Sequence, residues 1–283
     1  MTDRSAELTW NVFVTRPLPT LVDEPPPGEP HRIWPPISST LISAEDDAVL
    51  VDAPITIAQA SHLADRVAAT GKNLTTVYVT HGHGDHWFGL SVILARFPDA
   101  RPVATPAVVD QMRRHSTPEA LALWNARVPG QIPDQLVLAE ELTDSVIDLQ
   151  GRELAIVEVG HSDMDDTTCL YAPSIGLVVA GDVVYNDVYL QLRESDAKTR
   201  LEWIATLDTL ESMHPNAVVA GHKREGRDDD PKNIAETQQY IRDFDRIVGQ
   251  TESALEVYGL MLALYPGRAY PAALWASARE IKG

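Results

Sequence analysis

Four potential metal ligands lie within one short segment, His81-Gly82-His83-Gly84-Asp85-His86. Imidazole nitrogens and carboxylate oxygens are donors that zinc and similar divalent cations bind, and the chain has a single cysteine, so a cysteine-based cluster is excluded. An extended backbone directs side chains two residues apart, such as the first two histidines, to one side. The glycines let the chain bend and turn the last two ligands elsewhere. The spacing therefore predicts a segment that serves two adjacent metal ions.

Three further candidates each follow an apolar run typical of a β-strand: His161, Asp182 and His222. In α/β folds the carboxyl ends of strands converge on one edge, where ligands commonly bind, so we expect these side chains to join the first four. Two zinc ions need about this many ligands when one carboxylate bridges them and positions stay open for water. The sequence therefore predicts a site for two Zn²⁺ ions, and the same donors also suit iron or manganese.

The order of these residues resembles the signature of the metallo-β-lactamase superfamily of dinuclear metallohydrolases, His-x-His-x-Asp-His followed by a single His, an Asp and a final His. The resemblance spans residues 35–225. It implies a four-layer αββα sandwich and three ligand roles. These are a first metal site of His81, His83 and His161, a second of Asp85, His86 and His222, and a bridging Asp182. It also implies that Asp52 contacts the motif histidines and fixes their tautomers and ring directions.

The segments before these ligands must form the elements that position them. A β-rich run at 74–80 ends directly on His81, and the apolar runs 41–43 and 48–52, split by an acidic turn, are typical of a hairpin. Apolar residues at helical spacing predict a helix over 56–70. A first half rich in hairpins, a crossover helix and a second half of strands and helices together predict an α/β fold, with two stacked sheets and helices outside.

The same patterns predict further elements. Helices are predicted near 87–97, 106–115, 118–126 and 197–213. Strands are predicted near 135–139, 145–149, 153–159, 167–172, 176–181 and 217–220. We divide the chain into a proline-rich N-terminal arm at 1–35, a catalytic domain at 36–230 and a helical C-terminal segment at 231–283, packed on the same domain as an appendage.

The 283 residues carry 23 Lys and Arg against 41 Asp and Glu, a formal net charge of -18. This balance disfavours nucleic acid and anionic membrane surfaces as partners. No apolar stretch reaches the roughly 18 to 20 residues of a spanning helix, and residues 1–7 lack the pattern of a signal peptide. We expect a cytoplasmic protein that binds a small-molecule acyl substrate and neither nucleic acid nor membrane, with a homodimer left open.

The resemblance implies a dizinc metallohydrolase, in which a metal-bridging hydroxide attacks the ester or lactone bond of a small acyl substrate. Asp85 is expected to deliver a proton to the leaving group, and Tyr185 to donate a hydrogen bond to the oxyanion. Asp182 argues against a dedicated β-lactamase, because those relatives carry Cys or Ser at the bridging position. The resemblance is therefore to the glyoxalase II and lactonase branch.

Other functions stay open at this point. One is a thioester hydrolase like glyoxalase II, which is disfavoured because the C-terminal helices lack an obvious cluster of Lys and Arg for glutathione. A second is β-lactam hydrolysis as a side activity. A third is a mononuclear iron persulfide dioxygenase, which shares much of the motif. The last is a non-catalytic binding module that a metal stabilises.

Residues outside the motif are assigned simpler roles. Four histidines are expected to be surface or packing residues: His31, His62, His115 and His214. Three aspartates are expected in a capped turn or solvated loop: Asp163, Asp165 and Asp166. Three aromatic residues are expected to line an apolar acyl site: Trp87, Phe88 and Tyr189. Two tryptophans of the arm could roof the site or pin the arm to the body, and pinning is favoured: Trp10 and Trp34.

Overall fold

The computed structural model describes residues 7–283, so the first six residues of the predicted arm lie outside the described part. The strands in chain order are β1 (Thr9–Val14), β2 (Leu18–Thr20), β3 (Arg32–Trp34), β4 (Ser38–Ser43), β5 (Asp47–Val51), β6 (Asn73–Tyr78), β7 (Arg101–Ala104), β8 (Glu140–Glu141), β9 (Val146–Leu149), β10 (Arg152–Gly160), β11 (Thr167–Ala172), β12 (Leu177–Val179), β13 (Tyr185–Asn186), β14 (Ala217–Val219) and β15 (His222–Lys223). The helices are α1 (Ile57–Ala68), α2 (Leu90–Arg96), α3 (Pro106–His115), α4 (Pro118–Arg127), α5 (Ala197–Ser212), α6 (Lys232–Val248), α7 (Ala254–Leu264) and α8 (Ala272–Lys282).

Two sheets form the centre of the molecule. The first has the strand order β1-β4-β5-β6-β7-β8 and the second β14-β12-β11-β10-β9. The predicted hairpin is confirmed, because β4 and β5 pair antiparallel with Thr40 opposite Val51. The N-terminal arm contributes β1, which pairs along its whole length with β4 at the edge of the first sheet. Part of the arm is thus integral to the sheet.

The alternation of side chains along the strands explains the layers. In β5, Val49 and Val51 face a buried cluster between the two sheets, whereas Leu50 faces a separate cluster under α1 to α4. Strand residues of the second sheet, such as Val178, face a third cluster under α5 to α8. The order helices, sheet, sheet, helices confirms the predicted αββα sandwich with helices at the C-terminal end.

Helix α1 shows why the helical spacing of apolar residues predicted a helix correctly. Thr56 accepts a hydrogen bond from the backbone of Gln59, and the Gln59 side chain accepts one from the backbone of Thr56, which satisfies donors at the helix start. The apolar face then buries Leu63 and Val67 against the first sheet. Gly71 follows with a φ of 70°, a conformation that glycine adopts without steric cost.

The strand predicted at 135–139 is wrong. The only strand nearby is β8, which begins at Glu140 and pairs with β7. Three residues of the run, Leu136, Val137 and Leu138, are half-buried against the cluster under α1 to α4. Their apolar character therefore reflects packing against helices, which a period-two pattern does not distinguish from strand pairing. Among the described residues, no helix combines the length and the apolar composition that crossing a membrane requires.

Replacing a residue between the sheets should destabilise the fold. Leu170→Ala removes a fully buried side chain from the cluster between the sheets, and we expect a loss of about 2–5 kcal/mol in the free energy of unfolding, measured in urea. Leu201→Ala is the matched control, because that side chain is 64% exposed on α5, and its effect should stay within about 0.5 kcal/mol. Equal small losses for both variants would contradict the two-sheet packing.

Candidate metal centre

The predicted ligands meet where strands of both sheets end. His81 and His83 follow β6, and a single 3₁₀ turn, Gly84–His86, then carries Asp85. A second such turn, Gly181–Val183, follows β12 and carries the aspartate predicted to bridge. His222 opens β15, next to the end of β14. Six of the seven predicted ligands therefore lie together at one edge of the sandwich, and His161 is the exception.

Asp182 is at the centre of this group. Its Oδ1 lies 3.2 Å from His86 Nε2, and its Oδ2 lies 3.2 Å from His222 Nε2 and 3.9 Å from His81 Nε2. His222 Nε2 is also 3.5 Å from Asp85 Oδ2. The carboxylate of Asp182 thus lies between imidazoles that were assigned to both predicted metal sites, His81 to the first and His86 and His222 to the second.

A second set of contacts orients the histidines. Asp52 accepts hydrogen bonds from the backbone and hydroxyl of Thr80, both at 2.9 Å, and lies 2.8 Å from His86 Nδ1. Because the Thr80 hydroxyl donates to Asp52, it must accept from His81 Nδ1, which is 2.9 Å away. His222 Nδ1 donates to the Pro36 carbonyl at 3.0 Å. These bonds occupy each Nδ1 and turn each Nε2 towards the Asp182 carboxylate.

Asp52 holds its position at some conformational cost. Its φ is 62°, in the left-handed region that few residues other than glycine, asparagine and aspartate adopt. Strain of this kind persists where surrounding contacts determine the conformation, and it clusters at functional sites. The three hydrogen bonds to Asp52 supply those contacts. The predicted role of Asp52 beside the motif histidines agrees with this geometry.

Glycines allow the close approach of backbone and ligand. A Cβ at Gly221 would collide with Asp182 Oδ1, and one at Gly181 would meet the Thr80 side chain at 2.7 Å. Gly181 also has a φ of 51°, which disfavours other residues. Glycine is therefore required directly before Asp182 and directly before His222 for these two ligands to meet.

Several ligand atoms have no protein partner. His81 Nε2, His86 Nε2 and Asp182 Oδ1 are buried and have no contact of hydrogen-bond geometry within residues 7–283, and the same holds for His161 Nε2. A buried polar atom left without a partner costs roughly 1–3 kcal/mol, so these atoms need an explanation. The donor atoms of His81, His86 and Asp182 belong to groups whose members all lie within 4.8 Å of one another. These residues fit divalent cations as the missing partners.

The charges of the cluster reinforce one another. Burial opposes ionisation of Asp182, but His222 and His86 outweigh it and hold the pKa of that carboxyl well below its usual range. Burial likewise opposes the charge on His222, yet Asp182 and Asp85 raise its pKa to about 10. Burial, reinforced by His86, lowers the pKa of His81 well below its usual value. Asp182 is therefore ionised at neutral pH, as a metal ligand must be.

His161 lies apart from the cluster. Its Nδ1 contacts Asp165 Oδ1 at 2.7 Å, and its Nε2, which is buried without a hydrogen-bond partner, belongs to none of the described groups of donor atoms within 4.8 Å of one another. Asp163 is found in the cluster instead, fully buried, with Oδ2 at 2.8 Å from His83 Nδ1. The expectation of a solvated loop is therefore wrong for Asp163. The carboxylate two residues after His161 was the available signal, because it can reach the same side of an extended chain.

A cavity of about 250 Å³ opens above the cluster. Tyr185 lines it and donates a hydrogen bond from its hydroxyl to Asp182 Oδ2 at 3.0 Å. Burial and the charge of Asp182 raise the pKa of Tyr185 well above its usual value, so this hydroxyl stays a donor at neutral pH. Trp34 lines the cavity as well and donates from Nε1 to Asp85 Oδ2 at 2.7 Å. Trp34 therefore does more than pin the arm to the body.

The other predicted cavity residues lie elsewhere. Trp87 and Phe88 are fully buried in the cluster under α1 to α4, and Tyr189 is buried in the cluster under α5 to α8. The prediction that they line an acyl site is wrong, because being next to a ligand in sequence does not give a side chain the same direction. His115, expected to pack or face solvent, lines the cavity, with its ring 5.4 Å from that of His83. Only the placement of α3 shows this.

Comparisons with known proteins agree with the fold. A family model described as the metallo-beta-lactamase superfamily matches residues 32–222. A solved metallo-beta-lactamase family protein from Thermus thermophilus is 18% identical, with a TM-score of 0.63 over 95% of this chain and 91% of that one. A metallo-beta-lactamase from Pontibacter korlensis is 17% identical, with a TM-score of 0.56 over 86% and 98%. The metallo-beta-lactamase FIM-1 from Pseudomonas aeruginosa, solved in a mono-zinc form, is 15% identical, with a TM-score of 0.56 over 84% and 92%. No curated protein matches the chain significantly.

Metal content should distinguish Asp163 from His161 as the ligand beside His83. We expect Asp163→Asn to lose about one of two bound zinc equivalents, because it removes a charged donor from the cluster, and His161→Asn to retain both. Zinc is counted by mass spectrometry after loading and dialysis. Asp165→Asn is the matched control, since that side chain is 72% exposed. Full zinc in Asp163→Asn together with loss in His161→Asn would contradict the observed geometry.

Proposed function

The chain belongs to the metallo-β-lactamase superfamily, and from that premise we propose that it is a dizinc hydrolase that cleaves an ester or lactone bond of a small acyl compound. One observation carries the proposal. A buried carboxylate, Asp182, lies between three oriented imidazoles on the floor of a cavity. The buried donor atoms without protein partners support the presence of metal, and the cavity supports an organic substrate.

When bound, two divalent cations activate a water molecule near neutral pH and polarise an acyl oxygen. Asp182 would bridge them, and the histidines around it would hold them. Asp85 faces the cavity, and its Oδ2 accepts the hydrogen bond from Trp34, so its carboxylate has a fixed direction for taking the proton of the attacking water and passing it to the leaving group. Tyr185 would turn its hydroxyl from Asp182 towards the negative oxygen that develops on the substrate.

The size and walls of the cavity favour a small acyl compound. Its volume of about 250 Å³ is below that of most sites for drug-sized ligands, roughly 300–1,000 Å³. Trp34, Leu123 and Trp124 supply apolar surface next to the ligand cluster. A short apolar acyl chain would fit this space, whereas a bulky bicyclic substrate would fill it completely.

Asp182 also favours acyl esters over β-lactams. The β-lactamases that this chain resembles carry Cys or Ser at the bridging position. The solved β-lactamases among its structural neighbours are less than 20% identical, so the likeness extends to the fold and carries no information about their substrate. Hydrolysis of β-lactams is therefore proposed as a side activity at most.

A substrate panel tests the proposal. Zinc-loaded protein is assayed on lactones, aryl esters, thioesters and β-lactams, and we expect the fastest turnover on lactones or aryl esters. Asp182→Ala should lose most of its metal and its turnover on every substrate, because it removes the central charged ligand. Asp165→Asn, at an exposed position, should match the unaltered protein. Zinc-loaded protein that is silent on all four classes would overturn the proposal, as would tight binding of a single iron with persulfide oxygenation.

The chemical role of Tyr185 has a separate test. Tyr185→Phe removes one hydroxyl without changing the size of the ring, and we expect kcat to fall roughly 100-fold, the effect of losing one oxyanion donor. The zinc content should stay unchanged, and KM should change little. Tyr171→Phe, on β11, is the matched control and should leave kcat unchanged. A loss of zinc that accounts for the whole loss of activity would reassign Tyr185 to orienting Asp182.

A further inference from the structure

Three arginines line the cavity above the ligand cluster: Arg32, Arg127 and Arg193. Their presence is unexpected in a chain with a net charge of -18. Like charges close together are unfavourable unless each has a partner. Each of these arginines therefore needs a negative group that balances it.

Arg127 has its partner within the protein. Its Nε donates to both oxygens of Asp23, at 3.1 and 3.0 Å. The guanidinium also lies 4.6 Å from the centre of the Trp124 ring and 5.5 Å from that of Trp34. This arginine therefore holds the arm against α4 and supports the aromatic wall of the cavity.

Arg32 has no such partner. Within residues 7–283 it makes no ion pair, and its Nε is buried without a hydrogen-bond acceptor. Burial lowers the pKa of Arg32 from its usual value, and the positive charges of Arg127 and Arg193 lower it further, against the pull of Asp23. The group remains a cation, because arginine stays protonated in proteins. A buried donor on a charged group without an acceptor is among the most expensive arrangements in a folded protein.

Arg193 has only a weak partner. Its nearest carboxylate oxygen, Glu194 Oε1, is 3.8 Å away, beyond hydrogen-bond distance. The same oxygen lies 3.4 Å from His83 Nε2, so the charge of Glu194 is shared with the ligand cluster. Arg32, whose buried Nε lacks an acceptor, and Arg193, whose side chain is 44% exposed, therefore face the cavity as cations without a close ion pair.

Trp34 lies between Arg32 and the ligand cluster. Its Nε1 donates to Asp85, and its ring lies 5.8 Å from the Arg32 guanidinium carbon. A group bound by Arg32 would thus be about one indole width from the residue proposed to donate a proton. The apolar side chains of Leu123 and Trp124 lie along the same cavity. The cavity wall therefore combines the charged ligand cluster, apolar side chains and the arginine cations.

We propose that Arg32 and Arg193 form a subsite for an anionic group of the substrate, a carboxylate or a phosphate, in the cavity above the ligand cluster. The identity of that bond rests on the proposed function, but the subsite does not. Planar carboxylates and phosphates match the fork of guanidinium donors and supply the acceptors that Arg32 lacks. The substrate class is then an anionic ester or lactone.

Calorimetry with small probes tests the subsite directly. Phenylacetate and phenylphosphonate are titrated into zinc-loaded and metal-free protein, with phenylacetamide as the neutral match. We expect both anions or one of them to bind with and without metal, and the amide to bind more weakly. The tighter anion identifies the class. Arg32→Gln should weaken anion binding roughly 10- to 150-fold, as expected for hydrogen bonds to a charged group, and leave the amide unaffected.

Matched variants separate charge from structure. Arg193→Gln should act in the same direction as Arg32→Gln, and Arg32→Lys, which keeps the charge but not the fork, should give an intermediate affinity. Arg242→Gln, exposed on α6, should bind as the unaltered protein does. Circular dichroism checks that each variant is folded. Anion binding that requires the metals and is unchanged in both Arg32→Gln and Arg193→Gln would overturn the subsite.

Kinetics distinguish the two proposals. If esters are cleaved, an ester with a free carboxylate should show a KM that Arg32→Gln raises, while the methylated form of the same compound should not respond. Arginine-dependent binding of the probes without turnover of any ester or lactone would end the proposed function and leave the subsite standing. Turnover of neutral esters, together with probe binding that is unchanged in Arg32→Gln, would refute the subsite and leave the proposed function standing.

Discussion

The negative charge of Asp182 inside the protein is the constraint on which the site depends. A carboxylate removed from water is stable only when cations or hydrogen-bond donors surround it. Here three imidazoles and one phenol point at it, and the bonds on the far side of each ring determine which nitrogen faces inwards. The glycines at 181 and 221 and the strained backbone of Asp52 follow from the need to bring these groups so close. The structure around the site therefore stabilises one buried negative charge.

The sandwich explains how distant segments reach that charge. Strand β6 belongs to the first sheet and strands β12 and β14 to the second, yet their carboxyl ends open on the same edge, and predicted ligands follow each within three residues. The packing between the sheets keeps these ends at a constant separation, because a close-packed interior resists deformation. The rigidity of the core is thus what gives a cluster of short loops a defined geometry.

Local signals in the sequence predicted much of this arrangement. The motif at 81–86, the hairpin, the helix over 56–70 and the ligands after apolar strands depend on spacing within a few residues, and the structure places them as expected, apart from His161. Whether His161 or Asp163 reaches the cluster depends on the path of the loop after β10, which tertiary contacts decide. The sequence did not predict that Arg32 and His115 line the cavity, since β3 and the end of α3 reach it only through tertiary packing, and for Trp34 it left roofing the site as the less favoured alternative.

The walls of the cavity come from opposite ends of the chain. Arg32 and Trp34 belong to β3, whereas Ala272 and Ala273 belong to α8, and all four border the same space. During synthesis β3 emerges from the ribosome well before α8, and segments fold as they emerge. The predicted metal ligands, of which His222 is the last, can therefore assemble before α8 closes the cavity. In a nascent chain the ligand cluster would stay open to solvent until α8 has emerged.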